Sequence, residues 1–248
     1  MSDEKRKVAL VTGGSRGIGL ATSVRLAADG FTVLVNYRQN TQAAEAAVET
    51  ILKAGGKATA MQADVRSADE VKAMFGRIKE SCGGLDVLVN NAGIAQDNFT
   101  PFMTEAQWDE VVDVDLKGAF LCTREAAKMM TRSRSGRIIN VSSVAGLTGD
   151  LKRANYAAAK AGLMGLTKAT ARDLATFGVT VNAVAPGYIE TDFLAGVNEE
   201  TRKRMTENIP LKRLGRPEEV ADLIAFLAGD AAGYITGAVF VIDGGLHM

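Results

Sequence analysis

Short apolar segments alternate with helical patterns along the chain, and this alternation restricts the possible folds more than any other feature. Seven segments have the character of strands: KVALVTG, FTVLVNY, KATAMQAD, LDVLVNNAG, GRIINVSS, VTVNAVAPG and AVFVIDGG. The helical patterns between them cover residues 17–29, 41–54, 68–81, about 105–133, 155–177 and 217–228. Apolar strands without polar alternation are typical of strands buried on both faces. The pattern predicts an α/β fold, a doubly wound seven-stranded parallel sheet with helices on both faces.

The 248 residues contain no internal repeat, low-complexity segment or Pro/Gly-rich linker that would divide them. We therefore expect one domain over residues 1–248. Residues 188–212 are the exception, because they are too polar and irregular to belong to the sheet. Their length is typical of a lid that covers a functional site.

The charge balance and the rare residue types exclude several classes of protein. Lys+Arg and Asp+Glu both number 29, so neither a nucleic acid nor an anionic membrane is expected as the main partner. The charged start MSDEKRK has no signal-peptide character, and no apolar run reaches the roughly 20 residues of a membrane span. Two isolated cysteines, Cys82 and Cys122, suit a reducing cytoplasm. The single histidine, His247, makes a Ser-His-Asp triad or a multi-histidine metal site unexpected, and no metal is predicted.

A glycine-rich turn follows the first strand, in TGGSRGIG, where the strand gives way to a helix. Glycines at such a turn let backbone N–H groups approach a pyrophosphate at the helix N-terminus. The alternative is a tight turn without a ligand, since the spacing is G-x-x-x-G-x-G rather than G-x-G-x-x-G. The residues predicted to bind a dinucleotide here are Gly13, Ser15, Arg16, Gly17, Ile18 and Gly19.

The end of the second strand indicates which dinucleotide it is. An acidic residue there would hold the ribose hydroxyls of NAD, but the sequence has Asn36, Tyr37 and Arg38. Arg38 can pair with a 2′-phosphate, and Arg16 in the glycine turn can cover its other side. Two arginines without a carboxylate predict NADP(H). The alternative is that both arginines are solvated surface residues.

The segment NYAAAKAG places Tyr156 four residues before Lys160, on one face of a predicted helix. A nearby ammonium favours the phenolate form of a tyrosine. The pair is therefore either an acid–base site or an ordinary exposed Tyr–Lys pair. The rest of the chain has to decide between them.

Several motifs, taken in order, resemble the classical short-chain dehydrogenase/reductase family. They are TGGSRGIG, NNAG at 90–93, Ser143 thirteen residues before Tyr156, YAAAK at 156–160 and PGYIETD at 186–192. The resemblance runs from Lys7 to His247 and implies a single Rossmann-type domain. Within the family the chain is most similar to 3-oxoacyl-[acyl-carrier-protein] reductases and acetoacetyl-CoA reductases, on the segments GRIINVSSVAG, ANYAAAKAGL and IPLKRLGRPEEVA.

The resemblance assigns roles to residues that spacing alone leaves open. Tyr156 would be the general acid, Lys160 would support it and bind the nicotinamide ribose, and Ser143 would hold the substrate carbonyl. The neighbouring Ser142 would face the other way. Further cofactor contacts are implied after the third, fourth and sixth strands, at Asp64, Val65, Asn91, Ala92, Gly93, Pro186, Gly187, Ile189 and Thr191. The motif NNAG can also serve only to stabilise the sheet.

Two positions depart from the family pattern. Asp115 stands where members usually carry an Asn that belongs to the catalytic set. Phe177 stands where the acyl-carrier-protein reductases often have a basic residue, although Arg134 supplies a basic position near the expected docking face. The resemblance also implies a homotetramer built on helices 105–133 and 155–177, with His247 at an interface or on the surface.

These observations predict NADPH-dependent reduction of a 3-oxoacyl thioester, carried by acyl carrier protein or CoA, to the 3-hydroxyacyl thioester. One alternative is a reductase of another carbonyl compound, such as a polyketide intermediate or a xenobiotic ketone. A second is a catalytically weak cofactor-binding subunit of a mixed tetramer, which Asp115 suggests.

Overall fold

The structure, a computed structural model, describes residues 7–248. Its strands form one sheet in the order β3-β2-β1-β4-β5-β6-β7, and every neighbouring pair is parallel. The strands are β1 (Val8–Val11), β2 (Thr32–Tyr37), β3 (Lys57–Gln62), β4 (Val87–Asn90), β5 (Gly136–Val141), β6 (Val179–Pro186) and β7 (Val239–Ile242). The seven-stranded parallel sheet predicted from the sequence is confirmed.

The helices connect the strands and lie close to the ranges that the sequence predicts. They are α1 (Gly17–Ala28), α2 (Thr41–Lys53), α3 (Ala68–Cys82), α4 (Glu105–Val112), α5 (Ala119–Ser133), α6 (Ala145–Thr148), α7 (Ala154–Leu174), α8 (Glu199–Asn208) and α9 (Pro217–Ala228). The short helices α6 and α8 were not predicted. Helix α8 lies inside the segment 188–212 that the sequence marks as irregular.

Local chemistry explains several of these boundaries. Ser67 precedes α3 and its hydroxyl accepts a hydrogen bond from the Glu70 amide, as an N-cap does. Gly83 ends the same helix in the left-handed conformation, with φ of 74°. Pro217 opens α9 at the position where its missing N–H costs nothing.

The predicted helical stretch 105–133 is continuous but not uniform. Between α4 and α5 the chain forms a π-helical segment, Asp113–Gly118. Such a segment accommodates extra chain length inside a helix and often lies at functional sites. Here it buries Asp115, whose side chain has no exposure to solvent.

The sheet separates two apolar cores, so both of its faces are covered. Leu10 of β1 belongs to the core on the α3 and α5 side, whereas its neighbours Ala9 and Val11 belong to the core on the α1 and α9 side. The strand order reverses between β1 and β4, which both run toward the same edge. In such sheets the crevice beyond the carboxyl ends of the strands at this reversal is the usual place for a ligand.

Candidate active site

The glycine turn after β1 is packed so tightly that it has no room for side chains. A Cβ atom on Gly19 would lie 2.2 Å from the Gly13 carbonyl oxygen and 2.5 Å from the Asn91 amide nitrogen. Gly13 itself has φ of 60°, a conformation that favours glycine. The Asn91 side chain donates to the carbonyl oxygens of Thr12 and Gly13, at 2.9 and 3.1 Å. This Asn therefore joins the end of β4 to the turn.

Asn36, at the end of β2, is a second clamp on this turn. Its side-chain oxygen accepts from the Gly13 amide at 3.4 Å, and its backbone oxygen accepts from the Gly14 amide at 3.0 Å. The side-chain nitrogen donates to Met61 and Ala63 carbonyls, both at 3.1 Å. In the sequence, Asn36 was notable only because it is not an acidic residue. The signal that could have revealed the clamp is a polar residue inside an otherwise apolar buried strand.

A single cavity of about 1040 Å³ runs along this edge of the sheet. It brings together nearly all of the residues predicted to form the site: Gly13, Ser15, Arg16, Gly17, Ile18, Gly19, Arg38, Asp64, Val65, Asn91, Ala92, Gly93, Ser143, Tyr156, Lys160, Pro186, Gly187, Ile189 and Thr191. Asp115 is the one predicted site residue that does not line it. It lies behind the wall, where a Cβ on Gly93 would come within 2.9 Å of its Oδ2.

Lys160 is almost fully buried between this wall and Tyr156. Its Nζ donates to the Val141 carbonyl oxygen at 3.0 Å and lies 5.4 Å from the centre of the Tyr156 ring. Asp115 Oδ2 is 3.1 Å from Nζ, but at an angle outside hydrogen-bond geometry, and Oδ1 accepts from the Ile94 amide at 2.8 Å. Burial is the largest effect on Lys160 and would lower its pKa, but Asp115 and Tyr156 together outweigh it and raise that pKa. For Asp115 burial is the larger effect, and it raises the pKa of the carboxyl against the attraction of Lys160.

The two serines after β5 have different surroundings. The Ser142 hydroxyl donates to the Lys160 carbonyl oxygen at 2.8 Å, inside the protein. The Ser143 hydroxyl accepts a 3.2 Å bond from the Ala145 amide, at the start of α6. Both serines line the cavity, but the Ser142 hydroxyl is used to hold α7. The Ser143 hydroxyl donates to no acceptor among the described residues, so it is the one that can donate to a ligand.

The other end of the cavity suits a phosphorylated ribose. Arg16 and Arg38 both line it, and among the described residues the Arg38 guanidinium donates only to the side chain of the adjacent Gln39. The carboxylate of Asp64 is held by Arg66 through bonds of 2.6 to 3.0 Å. Because the hydrogen bonds from Arg66 outweigh burial, the pKa of Asp64 is lowered. The glycine turn and the arginines therefore fit a dinucleotide with a 2′-phosphate, which Tyr156 and Lys160 would meet at its nicotinamide end.

The segment 188–212 contributes only its first part to the cavity. Phe193 and Leu194 line the cavity. Ile209 is buried elsewhere, next to Gly244, and Met205 is not among the lining residues. The ring of Phe193 lies 6.1 Å from that of Tyr156.

The C-terminal residues also return to this cavity. His247 lines it and pairs with Asp243 at 2.9 Å. The position of the histidine at the cavity rim was not predicted. Among residues 7–248, no group of three His, Cys, Asp or Glu side chains is arranged to hold a metal ion. Within that range, no helix has both the length and the apolar character needed to span a membrane.

Comparison with known proteins shows which family this chain resembles. A family model described as enoyl-(acyl carrier protein) reductase matches residues 13–247. A 3-oxoacyl-[acyl-carrier-protein] reductase of Staphylococcus aureus is 50% identical over 242 residues, 98% of both chains. A protein of the same description from Synechocystis is 52% identical over 243 residues, 98% of this chain and 97% of the relative. Nodulation protein G of Azospirillum brasilense is 44% identical over 242 residues, 98% of both chains.

These matches cover nearly all of the chain and agree with the parallel sheet and its surrounding helices. The chain belongs to the short-chain dehydrogenase/reductase family of oxidoreductases.

Proposed function

We propose that this enzyme uses NADPH to reduce the 3-oxo group of a 3-oxoacyl thioester to a 3-hydroxyl group. The observation that carries the proposal is the single cavity, which joins the glycine turn and two arginines to Ser143, Tyr156 and Lys160. When bound, NADPH supplies the hydride that reaches the carbonyl carbon. The protein has to hold the carbonyl and deliver a proton to its oxygen.

Three side chains share this work. Ser143 donates a hydrogen bond to the carbonyl oxygen and holds it in place. Tyr156 gives its hydroxyl proton to the same oxygen as negative charge develops there. Lys160 stabilises the phenolate that remains and is itself held by Val141 and Asp115. Asp115 does not line the cavity, so we propose that it positions Lys160 rather than contacting the substrate.

The cofactor choice rests on the end of β2. The sequence there provides no carboxylate for the ribose hydroxyls of NAD, and Arg16 and Arg38 both face the cavity. A guanidinium pairs with a phosphate through two hydrogen bonds, so these arginines favour NADPH. The remaining predicted cofactor contacts fit the same dinucleotide: Gly13, Ser15, Gly17, Ile18, Gly19, Asp64, Val65, Asn91, Ala92, Gly93, Pro186, Gly187, Ile189 and Thr191.

The substrate class is supported by the relatives. Proteins about half identical over their whole length are described as 3-oxoacyl-[acyl-carrier-protein] reductases. Either acyl carrier protein or CoA could bear the acyl group. The family's usual basic residue is replaced by Phe177, on which Arg134 stacks at 6.0 Å. Arg134 is therefore the basic residue that we propose for contact with an acidic carrier protein.

A substrate panel tests the proposal. The purified protein is assayed with NADPH against acetoacetyl-CoA, acetoacetyl-acyl carrier protein and ketones that carry no thioester. Much higher kcat/KM for the thioesters supports the proposal, and the carrier with the higher value identifies the partner. Faster reduction of the plain ketones favours the alternative ketoreductase. Tight NADPH binding without turnover of any compound favours the cofactor-binding subunit.

We also propose that the chain is a single domain that assembles as a homotetramer in the cytoplasm. Trp108 of α4 and Phe120 of α5 expose more than two fifths of their surface, 41% and 45%. Large apolar side chains exposed on one helical stretch are typical of an interface. Size-exclusion chromatography with light scattering measures the assembly directly.

A further inference from the structure

Arg153 is a charged residue in the cavity wall to which neither the sequence nor the proposed roles assign a task. It directly precedes α7, and Tyr156 lies on the first turn of that helix. Its side chain is 21% exposed and lines the cavity. The spacing of three residues from Tyr156 is the signal that could have pointed to it.

The guanidinium of Arg153 is fixed from three directions. Its Nε and one terminal nitrogen donate to the two oxygens of Asp97, at 2.9 and 3.0 Å. The other terminal nitrogen donates to Asp150 at 3.1 Å. The ring of Phe193 lies 5.4 Å from the guanidinium carbon on one face. These contacts tie the loops after β4 and α6 to the segment that follows β6.

This anchoring leaves donors free. An arginine has five N–H groups, and the contacts with Asp97 and Asp150 use three of them, so two remain without a partner among the described residues. A planar guanidinium held in this way presents its remaining donors in a fixed direction. A ligand that enters the cavity beside Tyr156 is the natural acceptor.

The local charge decides which kind of acceptor it is. The cluster of Asp97, Asp150 and Arg153 contains two carboxylates and one guanidinium, so acidic groups outnumber the cation. Such a cluster repels a phosphate or carboxylate at short range. A neutral carbonyl oxygen accepts a hydrogen bond without that penalty.

We propose that Arg153 binds the thioester carbonyl oxygen of the substrate while Ser143 and Tyr156 hold the 3-oxo group. This assignment rests on the proposed function, because a 3-oxoacyl thioester has a second carbonyl two carbons from the first. A plain ketone lacks that oxygen and leaves the two donors unpaired. Sites that hydrogen-bond a substrate group discriminate against analogues without it. Arg153 is therefore a specificity-determining residue.

The test compares two substrates in three proteins. The substrates are the acetoacetyl thioester of N-acetylcysteamine and 2-octanone, and the proteins are the wild type, Arg153→Met and Lys152→Met. Lys152 is the control because it is the neighbouring cation and does not line the cavity. Arg153→Met should lower the ratio of kcat/KM for the thioester to that for 2-octanone by about ten- to a hundredfold, the scale of one lost hydrogen bond to a charged group. Lys152→Met should keep the wild-type ratio.

The outcomes separate this assignment from the function on which it rests. Equal losses on both substrates in Arg153→Met would show a purely structural clamp and overturn the assignment, as would the same change of ratio in Lys152→Met. A wild-type preference for the thioester that persists in Arg153→Met would overturn it too, and would leave the proposed function standing. A wild-type enzyme with no preference for the thioester would overturn both this assignment and the proposed function. NADPH affinity and the melting temperature are measured for each variant, to verify that a changed ratio comes from a folded enzyme.

Discussion

Asp115 and Lys160 form an ion pair that is closed to solvent, with Oδ2 and Nζ 3.1 Å apart. A buried lysine without such a partner would lose its proton more easily, because burial disfavours the charged form. Asp115 and Tyr156 together reverse that tendency and raise the pKa of Lys160. The active-site lysine therefore holds its proton, with a carboxyl group beside it whose own pKa is raised by burial.

Asp115→Asn should destabilise the protein at neutral pH. The amide oxygen of the asparagine can still accept the hydrogen bond from the Ile94 N–H. The free energy of unfolding should therefore fall by at most about 3 kcal/mol, the lower end for breaking a buried ion pair. The pKa of Lys160 is higher in the folded protein than in the unfolded chain, where it is near 10.5. The charged lysine therefore contributes fully to the free energy of unfolding below pH 10.5, and this contribution is lost as the pH rises through the pKa of the folded protein. Urea unfolding at pH 7, 9 and 11 measures the difference in free energy of unfolding between the wild type and Asp115→Asn, which should shrink at the highest pH.

Asp113→Asn is the matched control for that experiment. It lies in the same π-helical segment, and its ion pair with Lys117 at 3.1 Å is largely exposed. Exposed ion pairs contribute little to the free energy of unfolding. Asp113→Asn should therefore unfold at the same urea concentration as the wild type at every pH. A difference for Asp115→Asn that stays constant to pH 11 would contradict the role given to Lys160.

The same substitution should change the pH dependence of the reverse reaction. Alcohol oxidation needs Tyr156 as a phenolate, and the Asp115 carboxylate offsets part of the attraction that Lys160 exerts on it. Asp115→Asn should therefore keep reductase activity and move the acid limb of the oxidation profile to lower pH. An unchanged or upward-shifted limb would refute this electrostatic account. A large gain in reductase activity would instead favour the weak-subunit alternative.

Tyr156→Phe removes the proposed proton donor and keeps the ring. We expect ketone reduction to slow by about 10² to 10⁴-fold, the usual contribution of general acid catalysis. NADPH affinity, followed by the fluorescence of the reduced nicotinamide, should be nearly unchanged. Retention of most of the activity would show that another group delivers the proton.

Arg38→Ala tests the choice of cofactor. Because only NADPH carries the 2′-phosphate, its KM should rise by about tenfold or more, the loss of one charge-assisted contact, while KM for NADH changes little. The NADH measurement is the internal control for an altered fold. Equal use of the two cofactors by the wild type would rule out the argument from Arg16 and Arg38.

Gly19→Ala should disturb the dinucleotide end of the cavity. The added methyl would meet the Gly13 carbonyl oxygen at 2.2 Å, so the turn has to shift. A shift of that kind should weaken NADPH binding by about 10²-fold, in line with the cost of misplacing a binding group. The control is Gly76→Ala in α3, where a Cβ meets nothing within 4 Å. It should bind NADPH normally, and comparable losses in both variants would contradict the packing argument.

The lid proposed at residues 188–212 can be followed by hydrogen exchange. Helix α8 buries none of its residues. The segment is held at its two ends, by a bridge between Ile189 and Gly215 and by the buried Ile209 next to Gly244. Amides of α8 should therefore exchange quickly without ligand and more slowly with NADPH and substrate. Exchange as slow as in β4, with no response to NADPH, would be inconsistent with a lid.

The sequence predicted those parts of the molecule that rest on local patterns. Most strands were recognisable because they are apolar and buried, as β1, β4 and β6 are along their whole length, whereas β3 at the edge of the sheet is partly exposed. Most of the residues predicted for the site line one cavity because their motifs follow strands whose carboxyl ends meet at one edge of the sheet. The contacts of Asn36 and Arg153 were not predictable in this way, since they depend on partners 23 to 56 residues away.

The π-helical segment was hidden for a different reason. Helical periodicity over 105–133 looks the same whether or not one turn is wider, so the pattern indicates a helix but not its rotation about its axis. The placement of Asp115 behind Gly93 depends on that rotation. The family resemblance placed Asp115 in the catalytic set, and a resemblance does not show that rotation either.

The wide turn at 113–118 also limits how the length of this chain can vary. One residue corresponds to about 100° of rotation in an α-helix. Deleting a residue here would leave two good helices, yet it would turn α4 against α5 and carry the carboxylate away from Lys160. An insertion or deletion in this stretch should therefore leave the protein folded but lower its catalytic activity. Chimeras between this enzyme and its relatives should exchange whole elements and keep residues 105–133 as one block.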